Sequence, residues 1–300
     1  MRAVSLVPSA TETVIARGAG DCLIGVSDDC SALSGASGLP VISRAVLAGL
    51  SRSPVEVDSA VRSERGAGRS LYELDIVQLR ALSPDVIFAQ DQCAVCAVPS
   101  SAVLAALGPG ADACRVVSID PHNLPQVFAS FEQIAEALGL CGSGEELARQ
   151  CRHQLDSLDA LGARSSRPTV LVLDWPEPAF VAGNWVPEIV AAAGGSAVGC
   201  APGEPSHPID LGAFERNEHG LDAVVVAPCG LPIDEAADAA RHLLTAWPAL
   251  GAARWCALDG RAWFSRPGPG LLEGAAGLAA WLAGEGLPAE MGQEITLPLR

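Results

Sequence analysis

Cys93 and Cys96 stand three residues apart in AQDQCAVCAVP (89–99), directly after an apolar run, in a chain with ten cysteines. Two thiolates at this spacing reach one metal ion, because a turn of that length brings both sulfurs to one side. A closed zinc site needs two more ligands. Cys30, after GVSDD, and Cys229, after VVVAP, are the candidates, and His122 in DPHN is a further metal ligand. Four thiolates suit zinc or an iron–sulfur cluster. Two other readings stand beside this one. Cys93 and Cys96 lie just before a helix expected from about Pro99, where the helix dipole would lower the thiol pKa of a redox pair. Alternatively, the cysteines are small buried apolar residues, a common use of a free thiol.

A second set of residues has the chemistry of ligand binding rather than metal binding. Trp175, Phe180 and Trp185 fall in DWPEPAFVAGNW, in a chain with only six Trp, one Tyr and six Phe. Flat apolar walls of this kind suit a macrocycle or another planar ligand; the alternative is core packing. Asn184 either hydrogen-bonds a ligand amide or caps the helix that follows. Arg44 in VISRA and Arg266 in FSRPGPG would hold a carboxylate or phosphate in a guanidinium fork, or form surface ion pairs. His122 would be an axial ligand to a chelated metal, or a loop histidine. His153, His207, His219 and His242 have no motif around them. RPGPG lacks the lysine of a phosphate loop, and there is neither G-x-S-x-G nor H-E-x-x-H. Catalysis is left open, since no carboxylate pair stands out for acid–base work.

The net charge of −16, with arginine as the sole basic residue type among nineteen, argues against nucleic-acid partners and anionic membranes. No apolar run approaches the roughly 20 residues of a membrane span. MRAVSLVPSATE has no signal-peptide pattern, so the expected location is cytoplasmic, with the cysteines as thiols or metal ligands rather than disulfides.

Positioning these residues requires alternating strands and helices. Strands are expected at 3–8, 23–27, 39–43, 84–89 and 114–120. Helices are expected from Ser9, with Ser9–Glu12 as a capping box, from Ser53, and over 70–82, where Leu71, Leu74, Leu79 and Leu82 share a face. Residues 124–163 read as mostly helical, broken at CGSG (141–144). A second series follows: strands at 169–175, 222–228 and 254–260, helices at 185–195, 234–247 and 270–284. This pattern predicts parallel sheets in an N-terminal lobe (1–123) and a C-terminal lobe (164–300) joined by the helical segment 124–163. Ligands of such sheets bind beyond the carboxyl ends of the strands, here in an inter-lobe cleft.

In order and spacing, SLVPSATE, SLYELD, PDVIFAQDQCAVCAV, SIDPH, FVAGNWVPEIVAAAGG, VVVAPCG and RPGPGLLEG resemble the class III periplasmic-binding-protein family, in its cobalamin-binding branch of ABC-transporter substrate-binding proteins. The resemblance implies an α/β fold of two Rossmann-like lobes joined by a long backbone helix. It also implies a corrinoid or related metal chelate as ligand, covered by the aromatic residues and approached by His122 or a cysteine. Family members carry an acidic residue on each lobe that docks the permease. Glu73 matches the first; Asp210 and Glu215 match the second only loosely, so permease docking does not follow. The expectation is a binding protein for a small-molecule metal chelate, with a metal or iron–sulfur protein or enzyme as the alternative.

Overall fold

The computed structural model describes residues 1–47, 53–92, 97–161, 166–215 and 220–296. The chain divides into two units. The first comprises Met1–Pro121 and Pro125–Gln150; the second comprises His122–Leu124 and Cys151–Arg300.

The first unit is built on a six-stranded sheet of β1 (Ala3–Ser5), β2 (Leu23–Ser27), β3 (Val41–Ala45), β4 (Tyr72–Leu74), β5 (Val86–Ala89) and β6 (Arg115–Ser118), ordered β4-β3-β2-β1-β5-β6. All pairings are parallel except β3 with β4. Its helices are α1 (Pro8–Ala16), α2 (Pro54–Gly66), α3 (Ile76–Leu82), α4 (Ser100–Leu107), nearly all of α5 (Leu124–Ala137) and the first eight residues of α6 (Ser143–Leu161). Side chains alternate across a strand, so Ala3 and Phe88 join a cluster with Val14 and Ile134, while Val4 and Ile87 join one with Leu79 and Val103. Both sheet faces are therefore covered, as a parallel sheet requires.

Two local expectations are corrected. Ser9 does not cap α1: the helix starts at Pro8, and the N-cap Val7 makes no side-chain bond. Proline at the first helical position presets φ and gives up an amide that would be unpaired anyway. The capping box lies instead at Ser53 and Glu56, each side chain accepting the other's amide. Residues 70–82 are not one helix. Tyr72–Leu74 adds to the sheet edge as β4, and Asp75 then caps α3 through the Gln78 amide at 2.8 Å.

The second unit has a seven-stranded sheet. Along β10 (His207–Pro208), β8 (Phe180–Val181), β7 (Thr169–Trp175), β11 (Ala223–Val226), β12 (Arg254–Leu258) and β13 (Gly292–Ile295) the strands lie in that order, and β9 (Ser196–Ala197) also pairs with β7. β7, β11 and β12 run parallel, whereas β8, β10 and β13 are antiparallel to their neighbours. The helices are α7 (Val186–Ala192), α8 (Leu211–Glu215), α9 (Ile233–Ala246), α10 (Gly260–Trp263) and α11 (Leu271–Ala283). Leu171, Leu173, Val224, Val226 and Trp255 form the core with Ala237 and Ala240 of α9.

The two sheets share a device at the amino ends of their strands. Asp85, before β5, accepts the Arg2 amide on its carboxylate at 2.7 Å and the Arg115 amide on its carbonyl at 2.9 Å. Asp222, before β11, accepts the Thr169 and Arg254 amides at the same distances.

The segment expected to join the lobes contains two helices, α5 and α6, and the division between units falls inside α6. Their joint is tight. A methyl group on Gly144 would sit 2.2 Å from the Phe131 carbonyl oxygen, so only glycine fits. The Glu132 carboxylate of α5 accepts the amides of Gly142 at 2.5 Å and Glu145 at 2.9 Å, capping α6 from outside. These amides, Gly142 first, hold the Glu132 carboxyl below the usual carboxylate range. A depressed pKa contributes stability above the unfolded value, about 4.3, which is lost as the pH falls through the folded value. Glu132→Ala should cost about 1 kcal/mol in urea denaturation at neutral pH, as loss of a helix cap does. The gap to wild type should close in acid; a gap independent of pH would show that the carboxylate charge plays no part.

Candidate functional site

The carboxyl end of β7 carries the aromatic pair. β7 turns back into β8 through residues 176–179, and the register sets Trp175 opposite Phe180. Directly opposed residues of an antiparallel pair share a sheet face with their side chains in reach of each other. Both side chains are half-buried. The Trp175 indole N–H donates to the Glu177 carbonyl at 3.1 Å, which holds the ring over its own turn. A methyl group on Gly230 would touch the same ring at 3.6 Å, so the turn after β11 lies beside it. The Cys229 amide on that turn bonds the Asp174 carbonyl at 3.3 Å. Trp175, Phe180, Cys229 and Gly230 thus form one cluster where ligands of parallel sheets bind.

Trp185 does not belong to it. Because β8 runs antiparallel, the chain moves back from the tip, and the Ala182 amide bonds the Val172 carbonyl. Trp185 is 5% exposed, and its indole N–H donates to the Phe264 carbonyl at 2.8 Å. This is the core-packing alternative. Asn184 adopts a left-handed backbone, φ 54°, and precedes the N-cap residue Trp185, whose helix has no side-chain cap. Its backbone accounts for its place: the amide donates to Glu204 O at 2.6 Å, and the carbonyl accepts from Gly203 at 2.9 Å.

His122 is exposed and belongs to the second unit. Its neighbour Asn123 comes within 4.0 Å of a methyl group placed on Gly203, and the Leu124 amide donates to Glu188 of α7 at 2.6 Å. The 122–124 segment is therefore held next to the Asn184 turn. Arg266 is half-buried in the bend ahead of α11, its carbonyl accepting the Gly268 amide. Asp210 accepts the Gly212 amide at the start of α8. Arg44 is exposed within β3, in register with exposed Glu73 of β4.

In the first unit the chain beyond β5 is tied at its neck. The Asp91 carboxylate accepts the Ser100 amide and the hydroxyls of Ser100 and Ser118 at 2.6–2.8 Å. Burial would raise its pKa, but these bonds win and hold it low. Asp120 accepts the amides of Asp91 and Gln92 on one carboxylate oxygen. Cys93 and Cys96 lie outside the described residues. Cys30 is 0% exposed, packed with Val26 and Ala36, and its thiol lies 3.0 Å from the Ser27 hydroxyl. Burial pushes its pKa up, opposing the thiolate a metal needs. Cys229 is exposed and belongs to the other unit. Among the described residues no three His, Cys, Asp or Glu side chains gather as a metal site. The four-cysteine centre is not assembled by the described residues, and Cys30 behaves as a small core hydrophobe.

Sequence reasoning missed Asp174. It interrupts the β7–β8 register between Leu173 and Trp175, and burial pushes its carboxyl pKa up. The available signal was an acidic residue closing the apolar run TVLVLDW.

No family sequence model and no curated protein matches the chain. Solved structures do. A periplasmic heme-binding protein of Pseudomonas aeruginosa is 22% identical, with a TM-score of 0.67 over 99% of this chain and 96% of that one. The periplasmic heme-binding protein HutB of Vibrio cholerae is 22% identical, with a TM-score of 0.68 over 94% and 98%. The periplasmic vitamin B12-binding protein BtuF of the same organism is 20% identical, with a TM-score of 0.63 over 94% and 96%. At these identities the likeness is one of fold: the chain has the two-unit α/β fold of the class III periplasmic binding proteins.

Proposed function

We propose that the protein binds a planar metal chelate of the corrinoid or heme kind, with the Trp175–Phe180 hairpin against the macrocycle and His122 as an axial ligand to the metal. The observation that carries this reading is the hairpin: two half-buried aromatic residues in register at the carboxyl end of β7. Fold by itself does not fix function. Here the end-to-end likeness to proteins described as heme- and vitamin B12-binding agrees with a site whose chemistry suits such ligands. An aromatic ring offers a macrocycle a large apolar contact at little cost in side-chain entropy. A cytoplasmic location is part of the proposal, because a chain with ten cysteines suits a reducing compartment.

Two measurements test this. Titration of the protein with hemin and, separately, with cobinamide should shift the visible spectrum of the bound chelate and quench tryptophan fluorescence. Trp175→Ala should weaken binding about tenfold, as loss of a central aromatic contact does. His122→Ala should remove the spectral signature of an imidazole ligand. Absence of a shift or quench with either chelate would overturn the reading, and a preference between them names the ring. Iodoacetamide treatment of the native protein, read by mass spectrometry, should label the exposed Cys141 and Cys229 quickly and spare the buried Cys30 and Cys256 until denaturation. Rapid labelling of native Cys30 would contradict its place in the core.

A further inference from the structure

An axial ligand must meet its metal from a fixed place, yet His122 is exposed on a loop. What fixes the loop lies two residues on. The Leu124 amide donates to Oε2 of Glu188 at 2.6 Å, a bond across 64 residues of sequence. Leu124 opens α5, where an amide has no acceptor within its own helix. Pro125 has no amide to offer, so the carboxylate takes that of Leu124. Proline also fixes φ at 121 and 125, which leaves His122–Leu124 to set the path between them. A bond at Leu124 therefore constrains His122 closely.

Glu188 is itself well held. It stands in the first turn of α7, its amide donating to the Trp185 carbonyl at 3.1 Å. Val186, Pro187, Ile189 and Val190 around it are buried, and the Trp185 indole N–H is bonded to the Phe264 carbonyl. A second hold lies at Asn123, whose side-chain nitrogen is 4.0 Å from a methyl group placed on Gly203. Gly203 is fixed in turn by its amide's bond to the Asn184 carbonyl at 2.9 Å. All these residues belong to the second unit, as does the aromatic hairpin.

We propose that Glu188 is a positioning residue: by holding the Leu124 amide, its carboxylate sets the path of residues 122–124 and so where the His122 imidazole meets a bound chelate. The ligand half of this statement rests on the chelate-binding reading; the tie at Leu124 does not. Glu188 needs no contact with the ligand for this role. Without the tie, the segment must be ordered each time the imidazole ligates, and that ordering is drawn from the binding free energy. An ionised acceptor makes the tie stronger than a neutral one would. Glutamine keeps an acceptor oxygen at the same reach, whereas alanine removes it.

The test compares Glu188→Ala and Glu188→Gln with wild type and His122→Ala. Amide hydrogen exchange at Leu124, read by NMR without ligand, should be about tenfold faster in Glu188→Ala, the size expected for one bond to a charged group. In Glu188→Gln it should fall between the two. With hemin, Glu188→Ala should lose the spectral signature of an imidazole ligand, as His122→Ala does, while hemin still quenches tryptophan fluorescence. Glu188→Gln should restore the signature. Wild-type exchange at Leu124 in Glu188→Ala would overturn the tie. An intact imidazole signature alongside fast exchange would overturn the positioning role, and so would failure of Glu188→Gln to restore a lost one. A wild type that binds hemin without an imidazole signature, or binds no chelate, would sink the His122 reading and the ligand half with it. Exchange at Leu124 would still decide the tie.

Discussion

The first amide of the central strand in each sheet is bound by an aspartate carboxylate from the neighbouring strand's approach, and both sheets depend on that bond. Backbone groups at the end of a parallel strand run out of ladder partners, and leaving them buried and unpaired costs more than most single contacts return. Asp85 and Asp222 meet the requirement identically. Each carboxylate takes an amide at the start of the first strand, and each carbonyl takes the amide that opens the third. One residue thus sets the relative register of three parallel strands. Register then decides which side chains arrive at the opposite end of the sheet, where Asp120 follows β6 and Trp175 closes β7.

The same need recurs at the carboxyl ends and at helix starts, and carboxylates meet it again. Asp91 and Asp120 tie the chain after β5 to α4 and β6, and Glu132 caps α6 from α5. Part of the chain's acidic excess is therefore structural. Asp85, Asp222, Asp120 and Glu132 accept backbone amides and so are held without a basic partner at the bond. The chemistry also differs between them. Asp91 is held in its charged form by three donors, whereas burial pushes the Asp174 carboxyl pKa up.

The parallel strands were legible because burial on both faces writes an uninterrupted apolar run: TVLVLDW is β7 to the residue. The helices α9 and α11 were legible within a residue or so of their ends for the complementary reason, a long periodic stretch. The antiparallel additions were not. β8 and β10 are two residues each, too short to carry a period, and they exist because β7 offers an open edge. β4 was hidden under a leucine spacing that suits a helix. What decided 70–82 was the Asp75 cap, which starts α3 only after Tyr72–Leu74 has joined β3. Ser9–Glu12 and Ser53–Glu56 have the same capping spacing. Proline after Ser53 leaves that serine outside the helix as a cap, whereas proline before Ser9 starts α1 a residue too early for Ser9 to act as one.

The site was half legible for the same reason. Clustering of Trp175, Phe180 and Trp185 in sequence suggested three faces for a ligand, but a hairpin reverses direction. Only the two residues flanking its turn share the tip, and the third is carried back into the core. The Cys93–Cys96 spacing falls outside the described residues. Cys30 sits against valine and alanine, and Cys114 is pushed up to about 11 by its burial. Thiols in such settings behave as apolar volume and do not act as ligands. What distinguishes a working group here is the mismatch between its environment and its charge, and that depends on which distant segments cross over it. The 204–206 backbone passing over Gly183 is such a contact, between residues twenty and more apart in sequence, and no local pattern announces it.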